Sequence, residues 1–191
     1  MQRNKTAEMT TLIFAATERL MAQEGLNGLS MQKIAREAKI SAGSIYVYFK
    51  NKEELLERLA RAVFEFFETE LGKNVDKTTP HFEQYRQMWW NLWHALLANP
   101  NIVLNLHQYQ ALPKFYALVQ ECKTSPTNPW FAFCEHAKKN HELCDLPTDV
   151  LFKLSLESAK NLAFDAVHQK IEFPTALLEN VIERTWRAIQ K

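Results

Sequence analysis

Glycine is scarce in this sequence, which has only four among 191 residues: Gly25, Gly28, Gly43 and Gly72. Four scattered glycines cannot form the glycine-rich phosphate loops of nucleotide-binding enzymes, and neither G-x-S-x-G nor HExxH occurs. We recognise no catalytic constellation, and the sequence predicts no cofactor. An enzyme is therefore the disfavoured class of protein.

Cysteine is also scarce, with Cys122, Cys134 and Cys144 as the three residues of this type and no CxxC pair among them. Together with the lack of a signal-peptide pattern at the start, this predicts a reduced, cytoplasmic setting. His136 and His141 complete a Cys/His cluster whose spacing matches no established zinc site, so we predict no metal. A thiol sensor is a slightly better hypothesis than a metal site, but it is also disfavoured, because no activating cations are evident around the cysteines.

Charged side chains are absent from residues 87–113. Asparagine, histidine and proline interrupt this stretch repeatedly, whereas a membrane-spanning helix needs about 20 predominantly apolar residues. We expect a protein core here and no membrane partner.

Proline is absent before residue 80, and the alternating pattern of β-strands is missing throughout. Because proline fits the first turn of a helix and breaks its interior, the prolines should separate helices. The sequence thus predicts an all-α fold. The seven prolines are Pro80, Pro100, Pro113, Pro126, Pro129, Pro147 and Pro174.

Apolar spacing predicts three helices in the first 50 residues and a longer fourth helix. The first helix ends at Gly25, Ser30 caps the second, and Ser41 caps the short third helix after a turn at residues 39–41. Asn51 opens the fourth helix, which ends near Gly72. We therefore divide the chain into residues 1–50, a connecting helix at 51–72 and a larger helical domain at 73–191.

Residues 30–49 have the size of a DNA-reading helix-turn-helix, whose second helix lies in the major groove. Residues 27–52 hold five cationic side chains and one acidic one, although the whole chain has a net charge of only +1. Such a basic patch suits phosphate binding. The alternative is an αα-hairpin with a basic, solvated face.

The segment AREAKISAGSIYVYFKNKEELLERL resembles the recognition segment of the tetracycline-repressor (TetR) family of bacterial regulators. The resemblance implies an all-helical homodimer, usually a repressor, that a small-molecule effector releases from a double-stranded DNA operator. Ala42 stands where members of the family often have lysine, so the operator sequence does not follow. The resemblance covers about residues 10–60 and rests on Ile34, Ala35, Ser41, Gly43, Tyr46, Tyr48, Phe49, Lys52 and Leu55.

Small residues in the first turn of the third helix let the backbone approach base edges, while hydroxyl groups and a lysine beside helix N-termini suit phosphates. By resemblance, Gln32 and Lys33 reach the DNA backbone or an adjacent base. Both cap serines are needed with or without DNA. The predicted DNA-binding residues are Ser30, Gln32, Lys33, Ser41, Ala42, Gly43, Ser44, Tyr46, Tyr48 and Lys52.

Aromatic residues are concentrated after residue 80, where the resemblance implies an effector pocket. Apolar walls with a few polar groups are typical of small-molecule sites and predict an effector with apolar or aromatic character. Ordinary core packing is the alternative for each aromatic residue. The predicted ligand-binding residues are Trp89, Trp93, His107, Tyr109, Phe115 and Trp130.

Two helices predicted at residues 148–169 and 175–191 carry more apolar surface than one stripe. A four-helix bundle with a second copy of the chain would bury both faces, and burial within one subunit is the alternative. The predicted dimer residues are Leu151, Leu154, Ser158, Leu162, Leu178, Val181, Ile182, Thr185, Trp186 and Ile189.

The sequence therefore favours a DNA-binding transcriptional regulator, most simply a repressor released by a small molecule. Two alternatives remain open: a regulator that needs no ligand, and a helical adaptor that binds protein instead of DNA.

Overall fold

The computed structural model describes residues 2–125 and 127–191, and their side chains except those of residues 2–4 and 122–124. Over these residues the chain forms eleven α-helices, one short 3₁₀ turn and no β-strand, which confirms the all-α prediction. The predictions for Pro126 and for the Cys122 thiol lie outside the described residues.

The helices follow one another with short connections. In chain order they are α1 (Gln2–Glu24), α2 (Met31–Glu37), α3 (Ala42–Ile45), α4 (Lys52–Leu71), α5 (His81–Ala98), α6 (Pro100–Gln110), α7 (Phe115–Thr124), α8 (Pro129–Lys139), α9 (Thr148–Leu154), α10 (Glu157–Gln169) and α11 (Thr175–Ile189), with the 3₁₀ turn at Leu26–Gly28. None of the described helices is both long and apolar enough to cross a membrane.

Two compact units make up the chain. The first unit comprises the residues up to Val63 together with Leu104–Tyr116, and the second comprises Phe64–Val103 and Ala117–Lys191. Helices α4 and α6 each contribute residues to both units. The first unit therefore adds a later segment of the chain to the N-terminal helices.

The predicted caps set the helix ends in the first unit. Gly25 adopts a φ of 73° after α1, a conformation that glycine reaches without a Cβ clash. The Ser30 Oγ accepts a hydrogen bond from the Lys33 amide, and the Asn51 Oδ1 accepts one from the Glu54 amide. These contacts confirm the predicted boundaries.

Six of the prolines separate helices as predicted. Pro80, Pro147 and Pro174 immediately precede α5, α9 and α11, while Pro100 and Pro129 are the first residues of α6 and α8. Pro113 lies in the turn between α6 and α7.

The single helix predicted over residues 148–169 is wrong, because the chain breaks between α9 and α10. At the break, Ser155 has a φ of −131° and a ψ of −89°, outside the helical region. Its buried Oγ donates to the Leu151 carbonyl at 2.6 Å. A side-chain hydroxyl thus makes a hydrogen bond to the carbonyl four residues earlier, as a backbone amide does within a helix.

The final helix also ends two residues earlier than predicted, at Ile189. Gln190 forms an isolated antiparallel bridge with Leu143, and the Lys191 amide donates to the Glu142 carbonyl at 3.0 Å.

Candidate nucleic-acid interface

Helices α2 and α3 are joined by a turn that closes on α2. The Ile40 amide donates to the Ala35 carbonyl and the Lys39 amide to the Arg36 carbonyl, which is the Schellman pattern of helix ends. Lys39 takes the left-handed position of this pattern with a φ of 57°, where glycine is the usual residue. The turn thus has a defined geometry, and α3 begins at a fixed place.

Helix α3 and the turn after it bury one face and expose the other. Ile45 and Phe49 are buried, while Ala42 and Gly43 are exposed and Ser44 is half-buried. Tyr46, Tyr48 and the small residues of the first turn therefore lie on the accessible part of a short, well-anchored helix.

The two serines of this segment serve the fold as well as the predicted interface. The Ser41 Oγ accepts from the Ser44 amide at 3.0 Å and shares a 2.7 Å hydrogen bond with the Ser44 Oγ. The Ser41 Oγ therefore caps α3, as the sequence analysis predicts.

A tyrosine and an arginine connect the end of this segment to α4. The Arg58 guanidinium donates to the Tyr48 carbonyl at 2.9 Å and lies 4.5 Å from the centre of the Phe49 ring. Arg58 also lies 3.7 Å from Glu54 on its own helix. The backbone of Tyr48 is thus attached to α4, while its ring is half-buried.

The two lysines predicted at the interface have different surroundings. The Lys33 Nζ lies 2.6 Å from the Glu24 carboxylate and donates to the Gly28 carbonyl at 2.9 Å. The Lys52 Nζ is 3.5 Å from the Leu29 carbonyl, a neutral acceptor. The charge of Lys33 is therefore compensated by Glu24, whereas Lys52 forms no ion pair with any residue that the structure describes.

Sequence reasoning did not predict three further cations of this surface as individual DNA contacts. Arg36, Lys39 and Lys50 are exposed, and within the described part of the chain none of them forms an ion pair. All three belong to residues 27–52, whose basic composition the sequence analysis did identify. The predicted Gln32 and Ser30 are exposed as well.

A buried polar cluster attaches α6 to α1 within the first unit. The Asn105 amide group donates to the Glu18 carbonyl and the Gln108 amide group to the Met21 carbonyl, each at 2.8 Å. The Tyr109 hydroxyl donates to the Glu18 carboxylate at 3.2 Å. Burial is the main cause that raises the pKa of Glu18 above its ordinary value.

The six predicted ligand residues are divided between the two units. Trp89, Trp93 and Trp130 are buried in the second unit, whereas His107, Tyr109 and Phe115 belong to the first. The pattern of apolar residues gave no indication that α6 turns its second half toward α1.

The buried tryptophans of the second unit have partners inside the fold. Trp89 stacks on Trp93 with ring centres 5.7 Å apart, and its Nε1 donates to the Ser158 Oγ at 2.9 Å. The Trp130 Nε1 donates to the Thr148 carbonyl at 3.1 Å. In this structure the three rings pack as a core.

Half of the residues predicted for the dimer interface are instead buried within the chain itself: Leu151, Leu178, Ile182, Trp186 and Ile189. Trp186 packs against Tyr85 and Phe82 of α5, which shows that α5 covers a face we expected a second copy to cover. The other five keep some accessible surface: Leu154, Ser158, Leu162, Val181 and Thr185.

Cys134, Cys144 and His136, three members of the Cys/His cluster for which we predict no metal, have other surroundings in the fold. Cys134 is buried, and its burial raises the pKa of its thiol, which disfavours the reactive thiolate. The Cys144 Sγ donates to the Gln190 carbonyl, and His136 shares a 2.8 Å hydrogen bond with His81. Among the described residues, no three His, Cys, Asp or Glu side chains are arranged to hold a metal ion.

Comparison with known families and proteins agrees with this architecture. Residues 13–59 match the model of the bacterial regulatory proteins of the tetR family, and residues 80–190 match a tetracyclin repressor-like C-terminal domain. A curated HTH-type transcriptional regulator of Haemophilus influenzae is 51% identical over 189 residues, which are 99% of this chain and 100% of that protein.

Solved structures show the same fold. The crystal structure of a TetR-family transcriptional regulator from Haemophilus influenzae is 52% identical, with a TM-score of 0.88 over 97% of this chain and 98% of that one. FadR from Bacillus subtilis, solved in complex with stearoyl-CoA, has a TM-score of 0.75 at 18% identity over 94% of this chain and 98% of that one. With its helix-turn-helix and its matching C-terminal domain, the chain belongs to the TetR family of transcriptional regulators.

Proposed function

We propose that the protein is a cytoplasmic repressor that binds its operator as a homodimer and leaves the DNA when a small molecule binds the second unit. The observation that carries the proposal is the surface of the helix-turn-helix. There, exposed Tyr46 and the cations Lys39 and Lys50, which form no ion pair with any described residue, flank a short helix with a fixed start. This surface suits a polyanion with readable base edges.

On the operator, α3 lies in the major groove with its first turn against the bases. Ala42 and Gly43 allow close approach of the backbone, and Ser44 can donate to or accept from a base edge. Tyr46, Tyr48 and Lys52 bind phosphates on either side and fix the register of the helix.

A dimer places two such helices on half-sites about 34–36 Å apart, one turn of the duplex. Accessible apolar side chains on α11 supply an interface for a second copy. Leu177 is 44% exposed, and half-buried Val181 follows it one helical turn later. Leu154 on α9 and Leu162 on α10 add apolar surface.

The second unit offers an aromatic interior with a few hydroxyl groups, the chemistry that suits an apolar or aromatic effector. Tyr85, Ser155 and Ser158 are polar groups within this interior. That a protein of the same fold, FadR of Bacillus subtilis, was solved in complex with stearoyl-CoA supports a small-molecule effector for this chain. The effector favours a dimer state that no longer matches both half-sites, so operator affinity falls.

The test is a titration of the purified protein against a labelled duplex of its own upstream region at several salt concentrations. We expect specific, steeply salt-dependent binding that Tyr48→Ala and Lys52→Ala both weaken. Lys77→Ala, which changes an exposed lysine of the second unit, is the control and should bind as the wild type does.

Binding equal to that of random DNA, both here and in a genome-wide selection, would contradict the proposal and favour a protein-binding adaptor. The effector part is tested separately with apolar and aromatic compounds. A compound that binds tightly yet leaves operator affinity unchanged would contradict release and favour a ligand-independent regulator.

A further inference from the structure

Val47 is the most exposed of the large apolar residues identified on the described surface, with 79% of its side chain accessible. It lies in the turn after α3, two residues past Ile45, and its amide donates to the Ser44 carbonyl at 3.2 Å. The backbone of Val47 is thus part of the helical turn, while its side chain contributes nothing to the core.

Helical spacing places Val47 on the outward side of this segment. Ile45 and Phe49, four residues apart, form the buried side. Gly43 precedes Val47 by four residues and Lys50 follows it by three, and both are exposed. The outward side therefore presents, in order, a residue without a side chain, a branched apolar group and a cation.

Gly43 leaves space beside Val47 that the fold does not require. A Cβ at this position would meet nothing closer than the Ser41 Oγ at 3.9 Å, which is an ordinary contact. The absence of a side chain at Gly43 is therefore unexplained by packing, and it opens the surface next to Val47 to close approach by a ligand.

The chemistry of a valine limits what this ligand can be. Valine has no donor or acceptor, so it cannot bind a phosphate, a sugar hydroxyl or a polar base edge. In the major groove of DNA, the one apolar group that base pairs present is the C5-methyl of thymine. The exposed cations Lys39 and Lys50 in the same helix-turn-helix segment, together with half-buried Lys52, favour a duplex over an apolar protein surface as the partner.

We propose that Val47 determines specificity by contacting the methyl group of a thymine in each operator half-site, with Gly43 giving the base room to approach. This inference rests on the proposed sequence-specific DNA binding. It adds a base-reading side chain to a recognition segment whose other outward residues are small or bind phosphate.

The test replaces single thymines by deoxyuridine, which removes only the methyl group. An operator is first obtained with the wild-type protein by selection from a random duplex library. Each thymine of the selected site is then replaced in turn, and binding is measured for the wild type and for Val47→Ala. Ile171→Ala, which shortens an exposed apolar side chain in the second unit, is the matched control.

We expect one deoxyuridine position per half-site to weaken wild-type binding about fourfold, the factor that burial of one methyl group supplies. Val47→Ala should weaken binding to the thymine duplex by a similar factor and should lose its sensitivity to that position. Ile171→Ala should keep the wild-type sensitivity. Unchanged melting temperatures would show that neither variant alters the fold.

Equal sensitivity of the wild type and Val47→Ala at every thymine would overturn the inference, even if the operator is bound specifically. Val47 would then serve as a contact for another partner or have no contact. A wild-type protein that enriches no sequence at all would contradict the proposed function instead, so the two failures are distinguishable.

Discussion

Tyr85 of the second unit and the two tyrosines that follow α3 in the first unit differ in where their hydroxyl groups find partners. In the second unit, Tyr85 is fully buried and its hydroxyl lies 2.7 Å from the Thr185 Oγ1. In the first, Tyr46 is 54% exposed and Tyr48 is half-buried, and among the described residues neither hydroxyl has a hydrogen-bond partner in the chain. The fold satisfies one kind of tyrosine and leaves the other for an external partner.

This difference separates structural aromatic residues from functional ones better than aromatic content does. The second unit is rich in aromatic rings, yet the buried indole groups of Trp89 and Trp130 donate to acceptors of the same chain. A rigid, exposed segment with polar groups that lack internal partners is the stronger sign of a binding surface.

The largest expected effect is on the free energy of unfolding, and it concerns a buried aromatic residue of the second unit. Trp89→Ala should lower the free energy of unfolding by about 3–5 kcal/mol, because it leaves a large cavity and removes a partner of Ser158. Urea denaturation measures this change. Tyr116→Ala is the control: its ring is 74% exposed, so stability should change by less than about 0.5 kcal/mol. Similar losses of stability in both variants would contradict the distinction between buried, structural rings and exposed ones.

A smaller effect is expected from the two lysines of the helix-turn-helix. Lys52→Ala should weaken operator binding about tenfold and reduce the salt slope by about 1, because it removes an uncompensated phosphate contact. Lys33→Ala should leave the salt slope unchanged, since Glu24 already compensates its charge. Salt-dependent titrations decide between them, and a reduced slope in both would show that Lys33 leaves Glu24 to bind DNA.

Two lysines with the same backbone conformation give a closer comparison of the units. Lys39 and Lys170 have φ values of 57° and 56°, a region that disfavours any residue with a Cβ. Replacing either by glycine should raise the free energy of unfolding by about 0.5–1 kcal/mol, the relief of left-handed strain less the entropy that glycine loses.

Only Lys39→Gly should also weaken operator binding, because only Lys39 lies in the helix-turn-helix. Thermal unfolding and DNA titration of both variants provide the check. Equal DNA affinity in the two variants would mean that the exposed charge of Lys39 does not act at the interface.

The smallest effect concerns the buried polar cluster on α1. Because the pKa of Glu18 is raised in the folded state, the folded protein binds more protons than the unfolded one at pH values just above 4.5, the ordinary value for glutamate. The cost of the buried charge is present at neutral pH and disappears as the pH falls through the raised pKa.

Glu18→Gln should therefore be more stable than the wild type at pH 7, with a difference that shrinks toward pH 5. Urea denaturation at several pH values measures this, with Glu8→Gln on the exposed part of α1 as the control. A difference that grows on acidification would have the wrong sign for this account.

Sequence reasoning predicted the N-terminal helices closely because their ends depend on local chemistry. Ser30, Ser41 and Asn51 cap helices through contacts that span three residues, and such contacts can be recognised in a sequence. The same holds for the prolines that precede helices.

The rest depended on contacts between distant segments. The pairing of Lys33 with Glu24 and the attachment of Asn105 to α1 are tertiary contacts that no periodicity predicts. The apolar faces of α11 were recognised, but which of them α5 covers could not be inferred from the helix alone. The exposure of Val47 was missed because an apolar residue in a short helix suggests core.

The most direct test of the contrast removes one oxygen atom from each unit. Tyr48→Phe should weaken operator binding several-fold and leave stability unchanged, whereas Tyr85→Phe should lower the free energy of unfolding by about 1 kcal/mol and leave the operator affinity of the folded protein unchanged. Both quantities are measured for both variants by operator titration and urea denaturation. Loss of stability in Tyr48→Phe with unchanged DNA binding would contradict the claim that the Tyr48 hydroxyl binds DNA and not the rest of the fold.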